Sequence, residues 1–124
     1  MNDYTLYSIF MHVILDIFSG MPNPNWDLSQ QQRDEFLKKI YLLPTTEKFQ
    51  NDSGLDYRGF IVEEKLKRFE VKDGLVKVVQ NNTGYMLEDK EYDIEMWLLD
   101  TAPNNIDHSL LKMVKEKIEE RKRK

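Results

Sequence analysis

Between Ile9 and Phe18 the apolar residues alternate along the chain. Ile9, Met11, Val13, Leu15 and Ile17 fall on one side of an extended backbone, and Phe10, His12, Ile14, Asp16 and Phe18 fall on the other. One side is wholly apolar and the other mixed, which predicts a strand buried on one face, partly covered on the other, and central or near-central in its sheet. The period then changes. Ser29 and Gln32 have the spacing of a capping box, Phe36, Leu37, Ile40 and Leu43 form a stripe at helical spacing, and Pro44 ends the helix. The polar stretch from Thr45 to Asp56 reads as a loop, and Tyr57 to Glu63 (YRGFIVE) as a second strand.

The strongest local signal is Asp73-Gly74 between two alternating runs, a favoured two-residue hairpin turn because both positions need positive φ. Counting outward pairs Lys72 with Leu75, Val71 with Val76, Glu70 with Lys77 and Phe69 with Val78. That register gathers the valines and Phe69 on one face and sets Glu70 against Lys77 on the other; a slip of one residue would scatter both sets. Asn81 to Gly84 then read as a turn. Asp89 is placed to cap a helix running through about Thr101, with Tyr92, Met96 and Leu99 on one face, Trp97 and Leu98 widening it, and Pro103 ending it. A last helix starts at Asp107, where Ile106 and Leu111 are spaced as a hydrophobic staple, and buries Leu110, Val114 and Ile118. No apolar residue follows Ile118, so residues 119–124 are expected to be a frayed basic helix end.

The predicted order is β-α-β-β-β-α-α. A hairpin apolar on one face only implies a two-layer α+β sandwich, a mainly antiparallel sheet of about four strands with three helices on one side. A chain of 124 residues suits one domain spanning 1–124, in which residues 1–8 either extend the first strand or trail from it as a tail.

Charge refines this picture without changing it. From Lys112 to Lys124 seven basic residues face three glutamates, a local balance of +4, which leaves −8 for the rest of a chain of net charge −4. An acidic body with a basic helix end argues against a general phosphate-backbone binder, so no nucleic-acid partner is expected. The absence of cysteine excludes disulfides, thiolate nucleophiles and cysteine metal sites. The N-terminal stretch carries Asp3 and no early Lys or Arg, a poor secretory signal, and no stretch approaches the roughly 20 apolar residues of a membrane span. The expectation is a cytoplasmic protein that does not engage a membrane.

Little in the chain points to catalysis. His12 and Asp16 share a strand face, yet four residues of extended chain separate them by about 13 Å. His108 sits in the first turn of the last helix. The acidic run from Glu88 to Asp100 has Ile94 where a calcium loop needs glycine, and its MWLL interior fits a helix. No phosphate-loop, dinucleotide or zinc-protease motif is present. No catalytic residue, metal or cofactor is therefore expected.

Residues 19–26, SGMPNPNW, are the most distinctive stretch. Gly20 permits a sharp turn, each proline fixes its own φ and biases its neighbour to extended conformations, and Trp26 stands at the entry to the first helix. Such stiffening suits either a plain structural turn or a preorganised contact presenting Asn23, Pro24, Asn25 and Trp26. Tyr57 and Arg58 are a second candidate, with Arg58 expected on the same strand face as Phe60 and Val62 and so partly buried. The two segments DIFSGMPNPNW and GLDYRGFIV resemble a set of small uncharacterised proteins that combine a strand, an SGxPNPxW loop and a YRGF strand. Met21 stands where those chains lead one to expect a basic residue. The resemblance implies a shared fold and carries no activity.

Three functional expectations follow. The first is a non-enzymatic protein-binding module, an inhibitor or accessory subunit, presenting the stiff loop to a protein partner. The second is a small-molecule-binding protein or enzyme with its pocket between sheet and helices, using His12, Asp16 and Arg58. The third is a homo-oligomer formed through residues 1–10, where Tyr4, Leu6, Tyr7, Ile9 and Phe10 would add a strand to a neighbour.

Overall fold

The computed structural model describes residues 11–17, 21–50 and 57–124. Residues 1–10, with the strand addition expected of them, lie outside the described residues, as do Phe18, Ser19 and Gly20. The described elements are β1 (Met11–Ile17), β2 (Asn25–Leu28), α1 (Gln30–Tyr41), β3 (Tyr57–Glu63), β4 (Arg68–Lys72), β5 (Leu75–Gln80), β6 (Thr83–Glu88), α2 (Asp93–Asp100) and α3 (His108–Lys122). They form an α+β fold with one six-stranded sheet in the order β2-β1-β3-β4-β5-β6, every neighbouring pair antiparallel.

Six strands replace the expected four, because two short ones lie in stretches read as a loop and as a turn with its short sequel before Asp89. β2 comprises Asn25 to Leu28, where Trp26 and Leu28 alternate with exposed neighbours. Four residues are too few for alternation to stand out against the flanking prolines. β6 begins at Thr83, directly after a tight turn in which Asn81 (φ 52°) and Asn82 (φ 64°) are both left-handed, so Asn81-Asn82 closes a second two-residue hairpin. The helix expected over residues 89–101 is shorter, Asp93–Asp100, since Tyr92 before it is left-handed (φ 60°). Asp89 still works at its start, since its carboxylate accepts from the backbone N–H groups of Asp93 and Ile94 at 3.2 and 2.8 Å.

The Asp73-Gly74 hairpin has the predicted register from Lys72↔Leu75 to Phe69↔Val78, with both turn residues at positive φ. α1 carries the reciprocal Ser29–Gln32 capping box and buries Phe36 and Ile40. Among the described residues the helices cover one face only. Met11, Val13, Leu15, Phe60, Val62, Phe69, Val71, Val76 and Val78 look into that layer and meet Phe36, Leu98, Val114 and Ile118 in one core. At its centre Phe36 meets Phe69 edge to face, ring centroids 5.1 Å apart, and lies across Trp97 at 6.1 Å.

The sheet's two edges are protected differently. β2 is short and preceded by Pro22 and Pro24, while β6 is partly covered by the chain leaving α1: Glu88 N–H donates to Pro44 O, and Thr46 N–H donates to Met86 O. Both devices limit the free ladder a neighbouring chain could extend.

β3 contains one extra residue. Leu15 pairs with Phe60 but Ile17 pairs with Tyr57, so two positions of β1 oppose three of β3. Gly59 lies in the bulge at φ +95°, and a Cβ there would come within 2.3 Å of Val71 O and 2.5 Å of Lys72 Cβ. The bulge turns Tyr57 inward and leaves Arg58 exposed on the opposite face. The expectation that Arg58 shares a face with Phe60 and Val62 fails for this reason: strict alternation breaks between them.

Gly59→Ala is expected to lower stability by at least about 2 kcal/mol, since it combines a disfavoured φ with a backbone clash. Gly84→Ala, whose added Cβ would meet nothing closer than 3.5 Å, should stay within about 0.5 kcal/mol of the parent. Urea unfolding midpoints of the two variants provide the comparison.

Candidate functional site

The stiff loop spends its polar groups on its own hairpin. Asn23 Oδ1 accepts from Ile17 N–H at 3.0 Å and its Nδ2 donates to Asp16 Oδ1 at 3.4 Å. Pro24 O accepts from Leu15 N–H at 2.9 Å, and Asn25 Nδ2 donates to Asn23 O at 3.1 Å. Asn23 thus supplies a ladder-like bond where β1 leaves its partner, and the prolines bring no N–H that would need one. Trp26 is 6 % exposed and belongs to the core, with its indole N–H donating to Thr101 Oγ1 at 3.0 Å just beyond α2. Of the loop residues singled out in the sequence, Asn25 presents an exposed side chain and Trp26 does not.

Tyr57 and Arg58 go to opposite sides of the sheet. Tyr57 is buried, and its hydroxyl donates to Glu95 Oε2 on α2 at 2.5 Å. Arg121, from the last turn of α3, donates from Nη2 to Tyr57 O at 3.0 Å and sets its guanidinium 5.2 Å from the centre of the Tyr57 ring. Its Nη1 lies 3.1 Å from Asp73 Oδ1 in the β4–β5 turn, close enough for an ion pair although the angles make no hydrogen bond. A single tyrosine therefore ties two helices to the hairpin. Order at the end of α3 has a source beyond Ile118 in Arg121, a residue that hydrophobic periodicity ignores.

Glu95 is fully buried, and burial is the main reason its carboxyl titrates at about 7 instead of 4.5. The hydrogen bond from Tyr57, the Gly74 backbone and the charge of Arg121 pull the other way, while Asp73 adds to the rise. Burial, with Glu95 beside it, likewise pushes the Tyr57 hydroxyl up, so Tyr57 remains the proton donor of the pair. With no exposed surface, Glu95 cannot reach a dissolved substrate, and its chemistry is that of packing. Asp89 is also raised by burial, against the lowering effect of its bonds to Ile94 and Asp93.

The helix-free face has a different character. Cross-strand register places Ile14, Ile61, Glu70, Lys77 and Met86 in one row, with His12, Glu63, Arg68, Val79 and Gly84 in the next. Ile14, Ile61, Val79 and Met86 are half-buried, and no helix among the described residues lies above them. Over part of this face runs the chain after α1. Gln50 Nε2 donates to Glu70 O at 2.7 Å, and Phe49 beside it stands 86 % exposed. The result is a cleft of about 440 Å³ that includes Asp16, Arg58, Arg68, Glu70, Lys72 and Lys77 around Phe49, Ile61 and Met86.

The structure brings Asp16 and Arg58 into that cleft, on the side away from the helices, and keeps His12 apart, with Nδ1 2.8 Å from Asp27 Oδ1 across the β1–β2 pair. Among the described residues, no group of three or more His, Asp or Glu could hold a metal ion, and no helix is long and apolar enough to cross a membrane. Sequence reading missed Phe49 and Glu95, although each left a trace. Phe49 is the sole aromatic residue between Tyr41 and Tyr57, and Glu95 falls on the apolar face set by Tyr92 and Leu99. No family model, curated protein or solved structure matches this chain.

Two outcomes follow from this geometry. Trp26→Ala should cost about 3–5 kcal/mol by urea unfolding, the usual loss for a buried aromatic residue, as expected of a core side chain and not of a displayed one. For Glu95, the folded carboxyl holds its proton up to about pH 7 while the unfolded one releases it near 4.5. Its contribution is complete below pH 4.5 and is lost as pH rises through 7, a fall of about 3 kcal/mol. Glu95→Gln keeps an acceptor for Tyr57 and removes the titration, so stability curves of the two proteins from pH 5 to 8.5 should diverge toward high pH, with the variant the more stable there.

Proposed function

We propose that this chain is a non-enzymatic protein-binding module whose contact surface is the uncovered face of the sheet, and that its partner offers an acidic surface with an apolar centre. The observation carrying this reading is the composition of that face: half-buried Ile14, Ile61, Val79 and Met86, with exposed Phe49 at one side, bordered by Arg58, Arg68, Lys72 and Lys77. An apolar centre inside a charged rim is the usual anatomy of a protein interface. Six strands at about 4.8 Å spacing give the face a width of roughly 24 Å, a scale suited to a macromolecule. The cleft brings four cations against Asp16 and Glu70 on a chain whose net charge is −4, so the face contrasts with its own protein and complements an acidic partner.

Of the residues singled out in the sequence, Arg58 and Asn25 remain in this contact. Arg58 lies within the cleft, and Asn25 stands opposite Ile14 at the far edge. Trp26, Tyr57 and the side chain of Asn23 support the face from behind or from its hairpin.

The test uses the tagged full chain to retain partners from a lysate of its source, followed by affinity measurement with the purified partner. Phe49→Ala is expected to weaken binding about 10- to 100-fold, as for an interface anchor, and Arg68→Glu with Lys77→Glu to weaken it further at low salt. Lys38→Glu on α1 should leave it unchanged. A partner indifferent to both sheet-face variants and sensitive to Lys38→Glu would place the contact on the helical layer and refute the assignment.

A further inference from the structure

A second cleft, of about 610 Å³, opens at the end of the sheet where the β4–β5 turn, the chain between β6 and α2, and the end of α3 converge. Its walls carry Lys90, Arg121, Lys122 and Lys124, with Lys48 on the far side, against only Asp73 and Glu88. Both carboxylates are already engaged: Asp73 with Arg121, and Glu88 with Lys48 Nζ at 2.5 Å. Lys122 reaches Glu91 only at 4.0 Å, outside hydrogen-bond range. Lys90 and Lys124 are exposed and meet no acidic partner among the described residues. The cleft thus holds two ammonium groups, those of Lys90 and Lys124, in excess of its local anions, with Lys122 only loosely met by Glu91, beside the ring of Tyr92.

We propose that this cleft is a binding site for a small phosphate-bearing molecule with at least two phosphate charges, a function beyond the protein contact described above. Like charges on three separate stretches of chain repel one another unless an anion lies between them, so a polyanion gains from all of them together. The cleft's floor is fixed before binding. Arg121 is held by Tyr57 O and the Tyr57 ring, and Tyr92 is seated against Gly74, where an added Cβ would lie 2.9 Å from its ring. A floor already ordered loses little entropy when a ligand arrives. The volume lies within the usual range for small-molecule sites and leaves room for more than one phosphate.

The site is tested with inorganic pyrophosphate, followed by amide NMR shifts and calorimetry at about 20 mM salt, where exposed charges remain effective over a Debye length. Saturable binding with a Kd on the order of 1 mM or tighter is expected, with shifts centred on residues 88–92 and 119–124. Lys90→Glu and Lys124→Glu, both at exposed positions with no acidic partner among the described residues, should each weaken binding at least about 5-fold, and together remove it, while Arg68→Glu on the sheet face leaves it intact. If sodium chloride at matched ionic strength produces the same shifts, or if the paired lysine variant binds as the parent does, the proposal is overturned. Loss of protein binding in Phe49→Ala with pyrophosphate binding preserved would separate the two readings.

Discussion

Gly59 is the position on which both faces of the sheet depend. Its φ of +95° and the 2.3 Å approach that a Cβ would make to Val71 O leave no side chain an easy place there. The extra residue it accommodates shifts the β1–β3 register between Leu15 and Ile17, so that Tyr57 and Phe60, three positions apart, both look into the core. Without the bulge, strict alternation would turn Tyr57 to the outer face and Arg58 toward the apolar core, where a guanidinium is costly to bury. One glycine therefore decides that the inner face receives an aromatic anchor and the outer face a cation. Both sites described above inherit that decision, one through Arg58 and the other through the Tyr57–Arg121 contact.

The inner consequence is a polar network in a mostly apolar core. Burying Glu95 costs desolvation that one hydrogen bond from Tyr57 offsets only in part, as its raised titration shows. What the network provides is placement. Apolar packing is not directional, whereas the bonds from Tyr57 to Glu95 and from Arg121 to Tyr57 O fix α2 and α3 by direction, and the Arg121–Asp73 ion pair draws in the β4–β5 turn. A tyrosine is suited to this because its ring fills core volume while its hydroxyl reaches a polar partner. Asp89 does a similar task nearby, holding the first turn of α2 to the end of β6.

Much of the architecture was legible wherever a local rule acted alone. The capping box of α1, the Asp73-Gly74 register and the alternating β1 each follow from interactions within a dozen residues of sequence. β2 and β6 were not legible because their evidence is non-local: a four-residue strand is defined by pairing with β1, and β6 by pairing with β5. The Asn81-Asn82 turn did carry a signal, since asparagine tolerates the left-handed region, but Gly84 and the exposed Tyr85 blurred the alternation after it. Site reading suffered more. The loop SGMPNPNW drew attention because it is stiff, yet stiffness there serves the β1–β2 hairpin and the burial of Trp26. Arg58 was placed on the wrong face because a bulge is a tertiary event that strict period-two counting cannot anticipate.

An antiparallel sheet needs cover on one face only, and the described residues provide three helices for that face and none for the other. The uncovered side could have been made safe by charge alone. Instead it retains half-buried Ile14, Ile61, Val79 and Met86, and the segment after α1 extends Phe49 into solvent beside them. Apolar surface left in water at this scale lowers solubility unless something limits self-association. Here Arg58, Arg68, Lys72 and Lys77 stand beside Asp16 and Glu70, so the apolar patch is bordered by charge that anything pressed against it must desolvate. A border of charge around an apolar centre makes any contact on this face depend on matching charges as well as on burying apolar surface.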